Sequence, residues 1–183
     1  MVKGGLYDGA GSEGQSTYSI SPTNYRILDL IEKICNGEYS QNEKVHFGVV
    51  DDGIATKIKE ETGISVYGFK VAIDAKQLKH IINEHGKNGK SDRSLSNYLD
   101  IARMEFVLNN PDSIVESGRT RAYTYMEKGR NKTAKTVLYE KSIGEKSYYV
   151  VQAVANTKSK TLYVVTAFIG KRGYKKKTPN SLM

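Results

Sequence analysis

At Asn109-Asn110-Pro111 the period of the chain changes, and this constrains the fold more than any single motif. Proline cannot continue a helix, and it biases the residue before it towards extended backbone. Upstream, apolar residues recur at helical spacing. Ser21-Pro22 opens a helix to about Asn36 that stops at Gly37. Asp51 or Asp52 caps a second one through Ile54 and Ile58 to Gly63. Asp74 caps a third that ends at Gly86, where positive φ is expected, and a fourth runs from about Leu95 to Leu108. Val45–Val50 and Ile64–Ile73 between them are apolar and extended. Downstream the period is two. Ser113–Glu116, Arg121–Glu127, Thr133–Ser142, Lys146–Ala155 and Thr161–Ile169 alternate as strands, parted by Gly129-Arg130-Asn131 and Asn156-Thr157-Lys158-Ser159. Short connections make neighbouring strands antiparallel, and the last two, apolar on both faces, belong near the centre. The pattern predicts an α+β fold with N-terminal helices packed on a four- to five-stranded antiparallel sheet.

The expected division is a Gly- and Ser-rich flexible lead-in or linker over residues 1–20, a single domain over 21–170, and a basic tail over 171–183. No apolar run approaches the ~20 residues of a membrane helix, and there is no signal peptide, so a cytoplasmic chain without membrane contact is expected. Cys35 is the only cysteine, which excludes an internal disulfide; with Ile27, Ile31 and Ile34 it is assigned to a buried helix face. HExxH, CxxC and EF-hand patterns are missing, so no metal site and no cofactor are expected.

Charge is divided unevenly. Residues 1–118 hold 13 Lys/Arg against 17 Asp/Glu, whereas residues 119–183 hold 15 against 3. A cationic second half points to a polyanion, with nucleic acid first. The expected contacts are Arg119 and Arg121, two apart on one strand; Lys171 and Arg172 in the tail; and tyrosines able to stack bases, among them Tyr139 and Tyr149.

Two of the three histidines, His80 and His85, fall in the third helix. Leu78, Ile81, Ile82 and His85 form its buried stripe, while His80 lies about 140° from His85 around the axis. On an unbroken helix the two cannot point at one small group, but His85 immediately precedes Gly86, where the helix can unwind. The polar loop Lys87–Ser96 is long and basic enough to approach a ligand. Thr166 interrupts an apolar series expected on one face of the last strand, Leu162, Val164 and Phe168. Two histidines, many cations and no metal motif suit RNA cleavage, because the 2′-OH is itself the nucleophile. The protein then supplies only a base, an acid and positive charge.

Phe47-Gly48-Val49-Val50, Ile58–Ile64, Ile73-Asp74, His80-Ile81 with His85-Gly86, Asn110-Pro111-Asp112-Ser113-Ile114, Arg119/Arg121, and Tyr148–Val151 leading to Val164–Phe168 come in an order that resembles a known family. It is that of the phage-associated nuclease domains of the barnase–EndoU–colicin–RelE (BECR) fold, found at the C-terminus of MuF-type phage and polymorphic toxin proteins. The resemblance spans roughly residues 45–170. It implies metal-independent endoribonuclease activity, with His80 and His85 as acid and base in either order. Arg121 (or Arg119) would bind the phosphate, Thr166 would support it, and His46 lies outside the pattern. It also implies RNA as substrate, an acidic immunity or antitoxin protein as partner, and a chain that is cytoplasmic, phage-borne or delivered into a target cell. Two other readings compete: a nucleic-acid-binding or phage-structural module of the same fold without catalysis, and an ADP-ribosyltransferase. The latter lacks support, since Glu127, Glu140 and Glu145 form no Glu-x-Glu or Gln-x-Glu pair.

Overall fold

The computed structural model describes residues 22–117, 123–134, 136–143 and 147–171; the lead-in, Arg119, Arg121 and Arg172 lie outside the described residues. The elements are α1 (Pro22–Asn36), β1 (Lys44–Val49), α2 (Asp52–Thr62), β2 (Lys70–Asp74), α3 (Ala75–His85), α4 (Tyr98–Ala102), α5 (Met104–Asn109), β3 (Ser113–Glu116), β4 (Tyr123–Glu127), β5 (Arg130–Ala134), β6 (Thr136–Ser142), β7 (Ser147–Asn156) and β8 (Thr161–Lys171). The α+β architecture with helices on a sheet is as expected.

Several helix ends have local causes. Asp51 caps α2 by accepting from the N–H groups of Gly53 (2.8 Å) and Ile54 (3.2 Å), and Gly63 closes it at φ 72°. Asp74 caps α3 through Gln77 N at 2.8 Å. The fourth expected helix is broken at Arg103 into α4 and α5.

The sheet is larger than the second half alone would build. Its order is β1-β2-β8-β7-β6-β3, with β4 and β5 as a separate two-stranded hairpin. β1 and β2, from the helical half, extend it, and β2 runs parallel to β8 whereas the other pairs are antiparallel. Thr133–Ser142, read as one strand, is two: β5 pairs with β4, and β6 with β3 and β7.

A single apolar cluster joins the helices to one sheet face: Ile27, Leu30 and Ile31 of α1, Ile58 of α2, Leu78 and Ile81 of α3, and Val151, Ala153, Leu162, Val164 and Ala167 of the central strands. Truncating a fully buried member such as Leu78 to alanine costs about 2–5 kcal/mol. Cys35 is exposed rather than buried, because the stripe through Ile27, Leu30, Ile31 and Ile34 turns it to the helix flank, where Sγ lies 3.3 Å from Tyr98 Oη. Among the described residues no helix is long and apolar enough to cross a membrane.

Candidate active site

β2 pairs with only Thr161–Tyr163 of β8, so among the described residues the downstream half of β8 has no strand on that edge. The end of α3 and the loop after it take the place. Ile169 N donates to Ser94 Oγ (3.1 Å), and the His85 ring packs on Phe168 with centroids 5.4 Å apart. α3 is thereby held beside β8, its buried stripe in the core and its flank along the opposite sheet face.

The loop returns tightly over the helix end. Lys90 N donates to Asn83 O, Ser91 N to Glu84 O and Leu95 N to His85 O, so carbonyls that a helix terminus leaves unpaired are satisfied by the loop itself. Gly86 does not adopt the positive φ expected of it; its φ is −73°. It is required by space, since a Cβ there would lie 2.4 Å from Ile82 O. At Gly89 a Cβ would lie 2.0 Å from Asp92 O and 2.5 Å from Glu84 O.

This return delivers Asp92 to His85, with Oδ2 2.9 Å from Nδ1. The His85 side chain is 13% exposed and that of Asp92 42%. Partial burial pushes the Asp92 carboxyl up, but hydrogen bonds from Ser94 and His85 outweigh it and hold the group below the usual carboxylate range. Glu84 is likewise held low, chiefly by the Ser91 hydroxyl at 2.5 Å, with His80, Lys90 and His85 adding favourable charge against desolvation. Both carboxylates are therefore ionised at neutral pH.

The facing wall comes from β7 and β8. Gln152 pairs with Thr166, but Ala153 pairs with Val164, so Val165 is an extra residue and β8 carries a bulge. A bulge reverses the alternation beyond it. Thr166 and Phe168 therefore do not share the face of Leu162 and Val164, as strict alternation required, but lie on the opposite face with Gln152 and Val150. There the Thr166 hydroxyl is buried with no hydrogen-bond partner among the described residues. Gln152 is anchored beneath by Nε2 donating to Thr136 Oγ1 (2.7 Å), which donates in turn to Ser117 Oγ.

His80, Glu84, His85, Ser91, Asp92, Gln152, Thr166 and Phe168 border one open recess of about 400 Å³. Helix geometry reconciles the two histidines. His85 projects from the last turn of the buried stripe and His80 from the solvent edge, with Glu84 between them, about 40° from His80. Neither histidine needs to point along the axis of the other for both to reach the recess.

Three of the expected site residues, His80, His85 and Thr166, are thus brought together. Arg121, Arg119 and Arg172 lie outside the described residues; Lys171 ends β8. Tyr139 and Tyr149 are corrected: they are 1% and 2% exposed, and Tyr149 Oη donates to Asp100 O at 2.5 Å. Burial pushes both phenols well above the usual tyrosine range. They are core side chains, with no face left for a base. His46 lies on β1 and does not border the recess.

Asp92, Glu84 and Gln152 were not anticipated. Asp92 lies in the loop singled out for ligand approach, and its Oδ1 accepting from Ser94 N is a local Asx turn that the Asp-x-Ser spacing permits. The signal for Gln152 is a carboxamide in the middle of a strand otherwise apolar on both faces.

A family model described as phage-Barnase-EndoU-ColicinE5/D-RelE like nuclease3 matches residues 48–177, most of the chain and all of this recess. No curated protein and no solved structure matches the chain.

Proposed function

The chain belongs to the phage-Barnase-EndoU-ColicinE5/D-RelE like nucleases, and from that premise we propose that it is a metal-independent endoribonuclease using the two histidines as base and acid. The observation that carries this reading is two imidazoles and a buried hydroxyl, unpartnered among the described residues, around one recess, with one imidazole held by an ionised carboxylate.

In this reading His85 is the base. An ionised Asp92 accepts a hydrogen bond from Nδ1–H, which leaves the Nε2 lone pair to take the proton of the 2′-OH. The 2′-oxygen attacks phosphorus, the bond to the 5′-oxygen breaks, and His80, protonated, returns a proton to that leaving oxygen. The products are a 2′,3′-cyclic phosphate and a 5′-hydroxyl. Thr166 Oγ1 donates to a non-bridging phosphoryl oxygen, exchanging an unmade hydrogen bond for one that strengthens as charge builds. Arg121, or Arg119, supplies the positive charge that the recess lining, with Glu84 and Asp92, does not. Such an enzyme suits a phage-borne or delivered toxin acting on cytoplasmic RNA, with a small acidic protein as the inhibitor its producer requires.

The test is incubation of the purified protein with total RNA, with and without EDTA, beside a His80→Ala/His85→Ala variant. Cleavage that survives EDTA, leaves 2′,3′-cyclic ends and disappears in the variant is expected. Cleavage abolished by EDTA would reject metal independence, and ends without a 2′,3′-cyclic phosphate would reject attack by the 2′-OH. RNA bound equally by both proteins and cut by neither would favour a binding module.

A further inference from the structure

A second recess of about 330 Å³ opens on the same side of the β7–β8 pair. Gln152 and Val154 are two apart on β7 and share a face. Gln152 pairs with Thr166 at the histidine recess, and Val154 pairs with Tyr163 at the second one. The bulge completes the arrangement, because Val165 lines the second recess while Thr166, next in the chain, lines the first. α3 walls both: Gln77 borders the second and Glu84 the first, seven residues and about 10.5 Å along one helical stripe. The two recesses therefore lie on one side of the β7–β8 pair, each bordered by α3.

Their chemistries differ. The second has no histidine. Its lining joins Val154 and Val165 to the Gln77 carboxamide, the Lys158 ammonium, the Tyr163 phenol and the Asp74 carboxylate, which is engaged as the α3 cap by Gln77 N. Tyr163 is held in place by Lys44, whose Nζ donates to Oη at 3.0 Å and lies 5.0 Å from the ring centroid. Apolar side chains, an aromatic ring and a carboxamide suit a flat heteroaromatic ring with donors and acceptors on its edge, because a carboxamide offers both at once. The volume is at the low end of small-ligand sites, about 300–1,000 Å³, and admits one base rather than a duplex.

We infer that this second recess seats the nucleobase next to the scissile phosphate, so that single-stranded RNA lies along α3 with Gln77 and Tyr163 setting base preference. The inference rests on the nuclease reading for its substrate, but its test separates the two.

The four nucleoside 3′-monophosphates and ribose 5-phosphate are titrated into the isotope-labelled full chain, and the Gln77 side-chain amide and Tyr163 ring resonances are followed. At least one nucleotide should shift both saturably while ribose 5-phosphate does not. Gln77→Ala and Tyr163→Leu should each weaken that nucleotide about tenfold, the low end for a lost base-edge contact or a lost stacking ring. Both should also flatten the cleavage preference on randomised ribo-oligomers. RNA cleaved with no base-dependent shift at either residue, or with preference intact in both variants, would overturn the subsite alone. Base-dependent shifts in a protein that cleaves no RNA would support the subsite and sink the nuclease reading.

Discussion

Replacing Thr166 with valine should raise stability and lower activity together, a pair of signs that a purely structural threonine would not give. Among the described residues the hydroxyl is buried without a partner, so its desolvation is left uncompensated by them. Protein mutational data put that cost at about 1–3 kcal/mol. Valine preserves the β-branched shape and strand preference, so little packing is lost. Because Thr166 borders an open recess, the low end applies, and a gain of about 1 kcal/mol is expected. For 183 residues this is a rise of about 2–4 °C in Tm. Removing a donor to the phosphorane oxygens costs up to about 10²–10³ in turnover at an enclosed oxyanion hole. A hydroxyl at an open recess should contribute roughly 10- to 100-fold. Thermal unfolding and kcat/KM on a short ribo-oligomer, with Thr166→Ser retaining activity, read both signs. A destabilised valine variant would mean that the hydroxyl is satisfied in the native protein, and the reasoning fails. A stabilised variant that cleaves normally would remove Thr166 from the phosphate site.

The other predictions concern the loop, the core and acid. Asp92→Asn should lower kcat/KM about 5- to 30-fold, from roughly 1–2 kcal/mol for a charge-assisted hydrogen bond weakened by solvent. The His85 ¹⁵N spectrum should then lose its Nδ1–H tautomer, and an unaltered tautomer would dismiss the pairing. Gly89→Ala forces a Cβ against two backbone carbonyls, so a stability loss of about 1–3 kcal/mol with activity near that of Asp92→Asn is expected in urea melts and cleavage assays. Tyr149→Phe should cost about 1 kcal/mol in urea melts, since the hydrogen bond from Oη to Asp100 O is lost; an unchanged midpoint would mean that this bond adds nothing to the core. Asp92 and Asp112 have folded-state pKa values below their unfolded ones, Asp112 because Lys141 (2.7 Å) and Ser142 N (2.8 Å) outweigh its burial. Their stabilisation is present above about pH 4 and disappears as the pH falls through the lower folded-state values. Urea midpoints should drop below pH 4, and less so in Asp112→Asn.

The sequence by itself determined the elements and the two histidines. Apolar period, Asp caps and stop glycines are local signals, so α1 to α3 and the central strands could be read from neighbours in the chain. His80, His85 and Thr166 were legible because each is a polar residue in a patterned element. Tertiary structure alone decided where these residues meet and which face they use. The β8 bulge reverses the face of Thr166 through a one-residue mismatch between two strands, which no single-strand pattern records. Asp92 reaches His85 only because the loop folds back on the helix end, and Tyr139 and Tyr149 fall in the core because their strand faces lie under helices. β2 enters the sheet parallel to β8 across some ninety residues, and that pairing leaves the β8 edge open for α3. Contacts between distant segments depend on register and packing, which are properties of the assembled core rather than of any stretch of chain.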